Sequence, residues 1–243
     1  MKTIEYKGRK FVYAEYGDSS KEPFLFIHGW GVSPFTYKDS IQELSSHFHV
    51  LAPYIQGVDD LKASSDTLAQ FMDAQKVSSA VVLGHSFSGI VAAGLAYYYP
   101  KKVKALVLID TIGIDFGRSN FVWLITWFRH VLTLLVGRNR YPVKSLRRIA
   151  IDFTFHILFY PHLLFREVRF MLKINLSKII EKLSMPILVL EGKDDVLVPK
   201  EVGEKIVKLN PKAQLKIMPG GHNWSKVDVE VLSREVTEFV NSL

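Results

Sequence analysis

Cysteine is absent from this 243-residue chain. Disulfide bonds, a thiol nucleophile and thiolate metal sites are therefore excluded. The chain also has no run of about 20 uninterrupted apolar residues, the length that a bilayer-spanning helix needs. Its first residues lack the pattern of a secretion signal, because apolar and polar residues alternate on both sides of a turn at 7–10 and predict a β-hairpin. We therefore expect a cytoplasmic location.

Hydrophobic residues make up 48% of the chain, and no repeat, linker or low-complexity tract is visible. This composition predicts a globular protein, and 243 residues suffice for one large domain with a sizeable core. The net charge of +7 is concentrated in one place. Residues 115–178 contain eleven Lys and Arg and three acidic residues, a net +8, so that the rest of the chain sums to about −1.

Short apolar segments alternate with segments of helical periodicity along most of the chain. The apolar segments predict strands at 23–27, 49–53, 80–83, 103–110, 185–192 and 214–218. Helices are expected at 37–48, at 64–76 with Ser64 or Ser65 as the cap, after 89, after 200 and at 225–240. Such alternation is typical of α/β proteins. We predict a mostly parallel central sheet of about eight strands, covered by helices on both faces.

Residues 114–180 interrupt this alternation, because no strand pattern is evident there and the residues become long, aromatic and basic. We interpret the segment as a helical lid inserted into a core formed by 1–113 and 181–243. Apolar stretches at 121–136 and 149–165 predict its helices. Twelve aromatic residues indicate an apolar substrate pocket, and the candidates for lining it are Trp123, Trp127, Phe128, Phe155 and Phe159. The positive charge of the lid also allows peripheral contact with a membrane or with lipid head groups.

Ser86 stands at the centre of the most informative segment, 80–96, which is typical of a strand, a sharp turn and a helix. A serine on such a turn presents its hydroxyl outside the fold, and the crowded backbone requires small residues two positions away on each side. Gly84 and Ser88 occupy those positions, although glycine is the expected residue at 88. Because many serines on turns only cap the next helix, this motif by itself is weak evidence for a nucleophile.

Ser86, Asp195 and His222 follow three different predicted strands, in that chain order. If the sheet is parallel, the loops that carry them open at the same edge. A serine hydroxyl is a poor nucleophile and needs a base, normally a histidine that a carboxylate orients. The joint placement is therefore much more specific than any single motif. Asp194 and Asp110 also lie at strand ends and stay open as alternative acids.

The chain resembles the α/β-hydrolase family along its whole length, with the lid as the variable insertion. Four stretches carry the resemblance: His28-Gly29-Trp30-Gly31, residues 84–89, residues 192–199 and Gly221-His222. The resemblance implies that Ser86 is the nucleophile, that His222 is the general base and acid, and that Asp195 fixes the imidazole tautomer. It also implies an oxyanion hole formed by the backbone N–H groups of Trp30 and Phe87.

The loop at 52–57 departs from the family. Relatives usually carry an aspartate and a second proline where this chain has Tyr54 and Gln56, so no particular substrate can be transferred from a subfamily. We expect His28 to shape the oxyanion loop through a hydrogen bond and His85 to lie beside the serine. The remaining histidines lack the spacing of metal ligands, and we assign them to packing or to the surface.

These features favour a serine hydrolase that cleaves hydrophobic carboxylic esters through an acyl-enzyme, with a small apolar ester as its partner. Hydrolysis of a carbon–carbon bond, a thioester or a lactone by the same three residues stays open. So does a hydrolase-like protein that binds a ligand without turning it over. No cofactor, metal or nucleic acid is expected, since the glycines at 29 and 31 do not form a dinucleotide loop. The sequence does not indicate an oligomeric state.

Overall fold

The computed structural model describes residues 1–115, 126 and 143–243. Its strands are β1 (Lys2–Tyr6), β2 (Arg9–Tyr16), β3 (Pro23–Ile27), β4 (His49–Pro53), β5 (Ala80–His85), β6 (Val103–Ile109), β7 (Ile187–Gly192) and β8 (Ala213–Met218). They form one sheet in the order β1-β2-β4-β3-β5-β6-β7-β8. β1 and β2 are the predicted antiparallel hairpin, β2 pairs antiparallel with β4, and β3 to β8 are parallel to one another. The predicted mostly parallel, eight-stranded sheet is confirmed.

The described helices are α1 (Lys38–Leu44), α2 (Leu61–Ala74), α3 (Phe87–Tyr98), α4 (Val143–Phe159), α5 (Pro161–Met171), α6 (Ser177–Ile180), α7 (Glu201–Leu209) and α8 (Val229–Asn241). Single 3₁₀ turns lie at Pro100–Lys102 and Trp224–Lys226. Within residues 1–115 and 143–243, no helix combines the length and the apolar character that crossing a membrane requires.

Helices cover both faces of the sheet, because successive side chains of a strand point to opposite faces. In the central strand β5, Val82 packs in a cluster with Ile90 of α3. Val81 belongs instead to a second cluster that includes Ile41 of α1 and Leu232 of α8. All six residues of β5 are buried, which explains why its sequence is apolar without alternation.

Helix α2 begins earlier than the sequence analysis predicted. Asp60 is its N-cap, and the Asp60 carboxylate accepts a hydrogen bond from the Ala63 N–H at 2.7 Å. Aspartate is among the most favourable capping residues. Ser64 and Ser65, the predicted caps, lie inside the helix, where the Ser65 hydroxyl donates to the Leu61 carbonyl at 2.7 Å.

The insertion between β6 and β7 contains α4, α5 and α6. The predicted helical stretch at 149–165 is divided at Tyr160, because Pro161 cannot continue a helix but is well suited to the first position of a new one. The other predicted stretch, 121–136, lies outside the described residues except for 126. The pocket candidates Trp123, Trp127 and Phe128 therefore also lie outside them.

Candidate active site

Ser86 lies between the end of β5 and the start of α3, where the chain turns sharply. Its backbone has φ 57° and ψ −121°, a conformation that non-glycine residues rarely adopt and that is concentrated at functional sites. The Ser86 N–H donates a hydrogen bond to the Ile109 carbonyl of β6 at 2.8 Å. This contact fixes the turn to the neighbouring strand and leaves the Ser86 side chain half-buried.

Small residues beside Ser86 allow the turn to close. A Cβ atom at Gly84 would lie 2.4 Å from the Ser88 carbonyl oxygen, so glycine is required there. Ser88, which replaces the expected glycine, is buried, and its hydroxyl donates a hydrogen bond to the His28 carbonyl. The departure from the expected motif thus adds a link between the serine turn and the loop after β3.

The His222 imidazole lies between Ser86 and Asp195. Its Nε2 atom is 2.9 Å from Ser86 Oγ, and its Nδ1 atom is 2.7 Å from Asp195 Oδ2. Asp195 follows β7 and His222 follows β8, and these two strands are parallel neighbours. In the tautomer with the proton on Nδ1, the ring donates to the carboxylate and accepts the hydroxyl hydrogen of Ser86.

Two adjacent aspartates have very different surroundings. Asp195 is buried, and its Oδ1 atom accepts hydrogen bonds from the N–H groups of Leu197 and Val198 at 2.7 and 3.0 Å. These bonds hold the carboxylate so that Oδ2 faces His222. Asp194 is exposed, and its N–H donates to the Gly220 carbonyl at 2.9 Å.

Asp110, the other alternative acid, lies beneath the site and is fully buried. Its Oδ1 atom accepts a hydrogen bond from the Gly192 N–H at 2.7 Å. Burial, with a smaller contribution from the charge of Asp195, raises the pKa of Asp110 well above its usual range. Its ionised form is therefore disfavoured. Burial, together with the charge of Asp110, also raises the pKa of Glu191.

Lys226 supplies positive charge to this buried acidic region. Its ammonium nitrogen lies 4.4 Å from the ring centroid of Tyr37. Burial lowers the pKa of Lys226 to about 7, and the acids Asp110 and Asp195 oppose this shift. The positive charge of Lys226 thus varies with pH close to neutrality.

His85 connects the loop after β3 to the backbone of His222. The Gly29 N–H donates to the Tyr37 hydroxyl oxygen at 3.1 Å, and this hydroxyl lies 2.8 Å from His85 Nδ1. His85 Nε2 lies 2.9 Å from the His222 carbonyl oxygen. All three contacts are satisfied when Tyr37 donates to Nδ1 and Nε2–H donates to the carbonyl. His85 therefore lies beside the serine turn, as predicted, and has a positioning role.

The predicted oxyanion donors lie on adjacent loops at the same edge of the sheet. Trp30 follows β3 and Phe87 is the first residue of α3, which follows β5, and Ile27 of β3 is paired in register with Gly84 of β5. Within residues 1–115 and 143–243, neither the Trp30 N–H nor the Phe87 N–H donates to a backbone or side-chain acceptor. Both groups are thus available to a ligand oxygen.

His28 holds this loop in shape, as the sequence analysis expected. Its Nδ1 atom lies 3.0 Å from the Gly29 carbonyl oxygen, and its Nε2 atom accepts a hydrogen bond from the Ile55 N–H at 3.0 Å. Burial lowers the pKa of His28 to about 4, so the ring is neutral near pH 7 and retains the lone pair that accepts from Ile55.

A cavity opens beside Trp30 and Phe87, between the core and the helices α4 and α5. It is lined by His28, Gly29, Trp30, Gly31, Val32, Ile55, Gln56, Phe87, Ser88, His156, Tyr160, Leu163, Leu164 and Glu167. Apolar side chains form much of this surface, but Gln56, His156, Tyr160 and Glu167 make part of it polar. The wall of the cavity therefore combines apolar and polar side chains.

Phe155 and Phe159 are not among the residues that line this cavity. They lie on the outer side of α4, where 45% and 62% of their surfaces are exposed, and their ring centroids are 4.9 Å apart. One turn of a helix takes 3.6 residues, so the side of α4 that faces the core carries Asp152 and His156 instead. The aromatic character of the stretch did not distinguish these two sides.

His156, which the sequence analysis assigned to packing or to the surface, lines the cavity. It is buried, its Nε2 atom lies 2.6 Å from the Tyr54 hydroxyl, and its Nδ1 atom lies 2.7 Å from the Asp152 carbonyl oxygen. The Tyr54 hydroxyl also lies 2.7 Å from Gln56 Oε1. The unusual residues Tyr54 and Gln56 were the available signal, since they replace the family's aspartate and proline at the place where the insertion contacts the core.

His85, Asp110 and His222 place three potential ligand atoms within 4.8 Å of one another. The ring nitrogens of both histidines, however, already lie at hydrogen-bonding distance from the partners described above. A cation at this point would have to displace the contacts among Ser86, His222 and Asp195. The arrangement is better suited to proton transfer than to metal binding.

Comparison with known proteins places this chain in a family. Residues 24–231 match the alpha/beta hydrolase family. Lipase 3 of Moraxella sp. (strain TA144) is 25% identical over 235 residues, which cover 87% of this chain and 74% of the lipase. The 2-hydroxy-6-oxo-6-(2'-aminophenyl)hexa-2,4-dienoic acid hydrolase of Metapseudomonas resinovorans is 25% identical over 248 residues, which cover 89% of this chain and 82% of that enzyme.

The crystal structure of the esterase RhEst1 from Rhodococcus sp. ECU1013 has the same fold. It matches with a TM-score of 0.79 and 21% identity, over 99% of this chain and 98% of the esterase. The family match, the fold and the relatives all indicate an alpha/beta hydrolase, and the family match extends over most of the chain. The chain therefore belongs to the alpha/beta hydrolase family.

Proposed function

We propose that this protein is a serine hydrolase that cleaves hydrophobic carboxylic esters through an acyl-enzyme intermediate. The observation that carries the proposal is the continuous contact from Ser86 Oγ through the His222 ring to Asp195, at 2.9 and 2.7 Å. Nucleophile, base and orienting acid lie in the order that nucleophilic catalysis by serine requires. The strained backbone of Ser86 and the available N–H groups of Trp30 and Phe87 support the same assignment.

In acylation, His222 Nε2 takes the Ser86 hydroxyl proton while Oγ forms a bond to the ester carbonyl carbon. The carbonyl π electrons move to oxygen and give a tetrahedral oxyanion, which accepts hydrogen bonds from the N–H groups of Trp30 and Phe87. Each such donor stabilises the oxyanion by about 3 kcal/mol. When the carbonyl re-forms, the bond to the alcohol oxygen breaks, and the imidazolium returns its proton to the leaving alcohol.

Deacylation repeats these steps with water. His222 takes a proton from the water molecule, whose oxygen attacks the acyl carbon, and the same N–H groups stabilise the second oxyanion. The bond to Ser86 Oγ then breaks, and the serine oxygen regains its proton from His222 while the carboxylic acid leaves. Asp195 keeps the Nδ1 proton of His222 in place throughout and stabilises the imidazolium.

We propose that residues 114–180 act as a lid over this site, with 1–113 and 181–243 as the core. The described part of the insertion supports the assignment, because α5 contributes Leu163 and Leu164 to the wall of the cavity beside Trp30. Such apolar side chains favour an acyl or alcohol chain with hydrophobic character.

We also propose that the outer side of the lid contacts anionic lipid. Ile151, Leu158 and Phe165 expose 58%, 67% and 63% of their surfaces there, and the exposed cations Lys144 and Arg147 lie on the same helix, α4, as the first two. Apolar side chains with basic neighbours are typical of peripheral membrane contact. Co-sedimentation with phosphatidylglycerol vesicles but not with phosphatidylcholine vesicles, weakened by Leu158→Ser, is the expected result. Equal binding to both vesicles, or to neither, would overturn the proposal.

The proposed reaction is tested by the hydrolysis of p-nitrophenyl esters from acetate to dodecanoate, with wild type and Ser86→Ala side by side. We expect the wild type to hydrolyse these esters and Ser86→Ala not to do so. The preferred acyl chain length indicates the length of the pocket. If the folded wild type hydrolyses no ester, the reaction is wrong. Thioesters, lactones and the dienoic diketones cleaved at a carbon–carbon bond are then the next substrates, and a protein that binds without turnover is the last alternative.

A further inference from the structure

Glu167 brings a carboxyl group into a cavity that apolar and polar side chains line together. It belongs to α5, it lines the cavity beside Trp30 and Phe87, and only 4% of its surface is exposed. Its Oε1 atom accepts hydrogen bonds from the N–H groups of Gly57 and Val58 at 2.6 and 3.2 Å. Oε2 receives no hydrogen bond from residues 1–115 or 143–243.

No described cation forms an ion pair with this carboxyl group. The guanidinium of Arg166, the adjacent residue on α5, turns instead to the Asp59 carboxylate and the Gly57 carbonyl. On the opposite wall, both ring nitrogens of His156 lie against other groups, the Tyr54 hydroxyl and a carbonyl of its own helix. Because Glu167 lines the cavity, its Oε2 atom is open to a hydrogen-bond donor on a ligand.

We propose that Glu167 Oε2 recognises a hydrogen-bond donor on the substrate, so that the cavity accepts esters that carry a hydroxyl or ammonium group on an otherwise apolar chain. This inference rests on the proposed ester hydrolysis and narrows its substrate class. Oε1 fixes the carboxyl to the loop at 57–58, and Oε2 then selects the ligand. Leu163 and Leu164 contact the apolar part of the same chain.

The preference for donor-bearing esters should depend on pH, because it depends on the ionisation of Glu167. Burial raises the pKa of Glu167 to about 7, against the hydrogen bonds from Val58 and Gly57 and the charge of Arg166. Above that pH the carboxylate accepts hydrogen bonds only, and below it the protonated group also donates. Any effect of pH on the catalytic step itself is common to both esters of a pair, so it cancels when their kcat/KM values are compared as a ratio.

Glu167→Gln separates ligand selection from the contact with Gly57 and Val58. The glutamine retains an oxygen for the two N–H groups and places an amide NH₂ group, which donates hydrogen bonds, where Oε2 was. Asp59→Asn is the matched control, because it also removes a carboxylate at this contact between α5 and the loop but does not line the cavity.

The experiment compares kcat/KM for ester pairs in which a hydroxyl or ammonium group replaces a terminal methyl group. The acyl series is p-nitrophenyl heptanoate, 6-hydroxyhexanoate and 6-aminohexanoate; the alcohol series is pentyl, 4-hydroxybutyl and 4-aminobutyl butanoate. In one of the two series, we expect the wild type to show a kcat/KM for a donor-bearing ester about tenfold or more above that for the methyl ester. This ratio should increase as the pH rises through 7. Glu167→Gln should reduce this ratio about tenfold, and Asp59→Asn should preserve it. The two donors distinguish a hydroxyl from an ammonium ligand.

Two results would overturn the inference: a wild type without preference in either series, or equal losses for donor-bearing and methyl esters in Glu167→Gln. Binding to Ser86→Ala, measured by calorimetry with the same esters, tests the inference without turnover. If the wild type hydrolyses no ester, the proposed reaction fails. The subsite would still be established if Ser86→Ala binds donor-bearing esters more tightly than methyl esters and Ser86→Ala/Glu167→Gln does not. If Ser86→Ala binds both kinds of ester equally, the subsite is refuted.

Discussion

Asp152 of the inserted helix α4 accepts hydrogen bonds from both the N–H and the hydroxyl of Ser33, each at 2.7 Å. The Thr36 hydroxyl donates to the same carboxylate oxygen at 2.8 Å. Ser33 lies three residues after Trp30, and the Trp30 ring packs edge-on against Phe153, the residue next to Asp152. The insertion thus holds the loop that presents the proposed oxyanion donor.

Replacing Asp152 should therefore impair the chemical step. In Asp152→Ala, three donors of the loop lose their acceptor, and we expect kcat for p-nitrophenyl butanoate to fall roughly 10- to 100-fold with a smaller change in KM. Asp152→Asn, which retains an oxygen acceptor, should lie between Asp152→Ala and the wild type. Asp39→Ala is the control, because it removes the ion pair with Arg148, another link between α4 and the core. Equal losses of kcat in Asp152→Ala and Asp39→Ala would contradict the positioning role.

The two adjacent aspartates should differ strongly in their effect on rate. Asp195→Asn removes the carboxylate that holds the Nδ1 proton of His222, and we expect kcat to fall by about 10⁴-fold. Asp194→Asn changes an exposed side chain, and kcat should stay within about threefold of the wild type. Steady-state kinetics on one ester measures both variants. Comparable losses would show that the acid is assigned incorrectly.

The turn at Ser86 predicts unequal losses of stability at Gly84 and Ser88, the two positions that flank it. Gly84→Ala places a Cβ atom against the Ser88 carbonyl oxygen, a backbone atom that cannot rotate away, so we expect more than about 2 kcal/mol of lost stability. Ser88→Gly removes one hydrogen bond, to the His28 carbonyl, and should cost about 1 kcal/mol. Urea unfolding gives both values. A Gly84→Ala protein as stable as the wild type would argue against this tight turn.

The raised pKa of Glu167 also predicts how the stability of the protein changes with pH. Its pKa is about 7 in the folded protein and near 4.5 as an ordinary glutamate, so between these values the folded state holds a proton that the unfolded chain releases. The contribution of Glu167 to the free energy of unfolding therefore decreases as pH rises from 4.5 to 7, by about 3 kcal/mol. The difference in unfolding free energy between wild type and Glu167→Gln should follow this decline. A difference that is constant with pH would show that burial does not shift this carboxyl group.

The sheet could be predicted because its central strands, such as β5 and β7, are buried on both faces. The continuous apolar run of β5 and the exact turn residues around Ser86 determine local structure within a few residues, and parallel strands bring their following loops to one edge. The chain order of Ser86, Asp195 and His222 was therefore enough to predict that they meet. Their distances agree with that prediction, and the catalytic roles stay a proposal.

The insertion was predicted less well because its contacts are between residues far apart in the chain. Nothing local indicates that His156 would face Tyr54, 102 residues earlier, or that Glu167 would reach the loop at 57–58. Aromatic content likewise could not distinguish the outer side of α4, with Phe155 and Phe159, from the side that packs on the core. Such choices depend on tertiary packing, which a pattern along the sequence does not contain.

The most direct test of the account is covalent trapping of the proposed nucleophile. An alkyl fluorophosphonate reacts with an activated serine hydroxyl, and intact-protein and peptide mass spectrometry locate the adduct. We predict one adduct per wild-type chain, on Ser86, with none on Ser86→Ala and strongly slowed labelling of His222→Ala. Labelling of another residue, or equal labelling of the wild type and Ser86→Ala, would contradict the central claim that Ser86 is the nucleophile activated by His222.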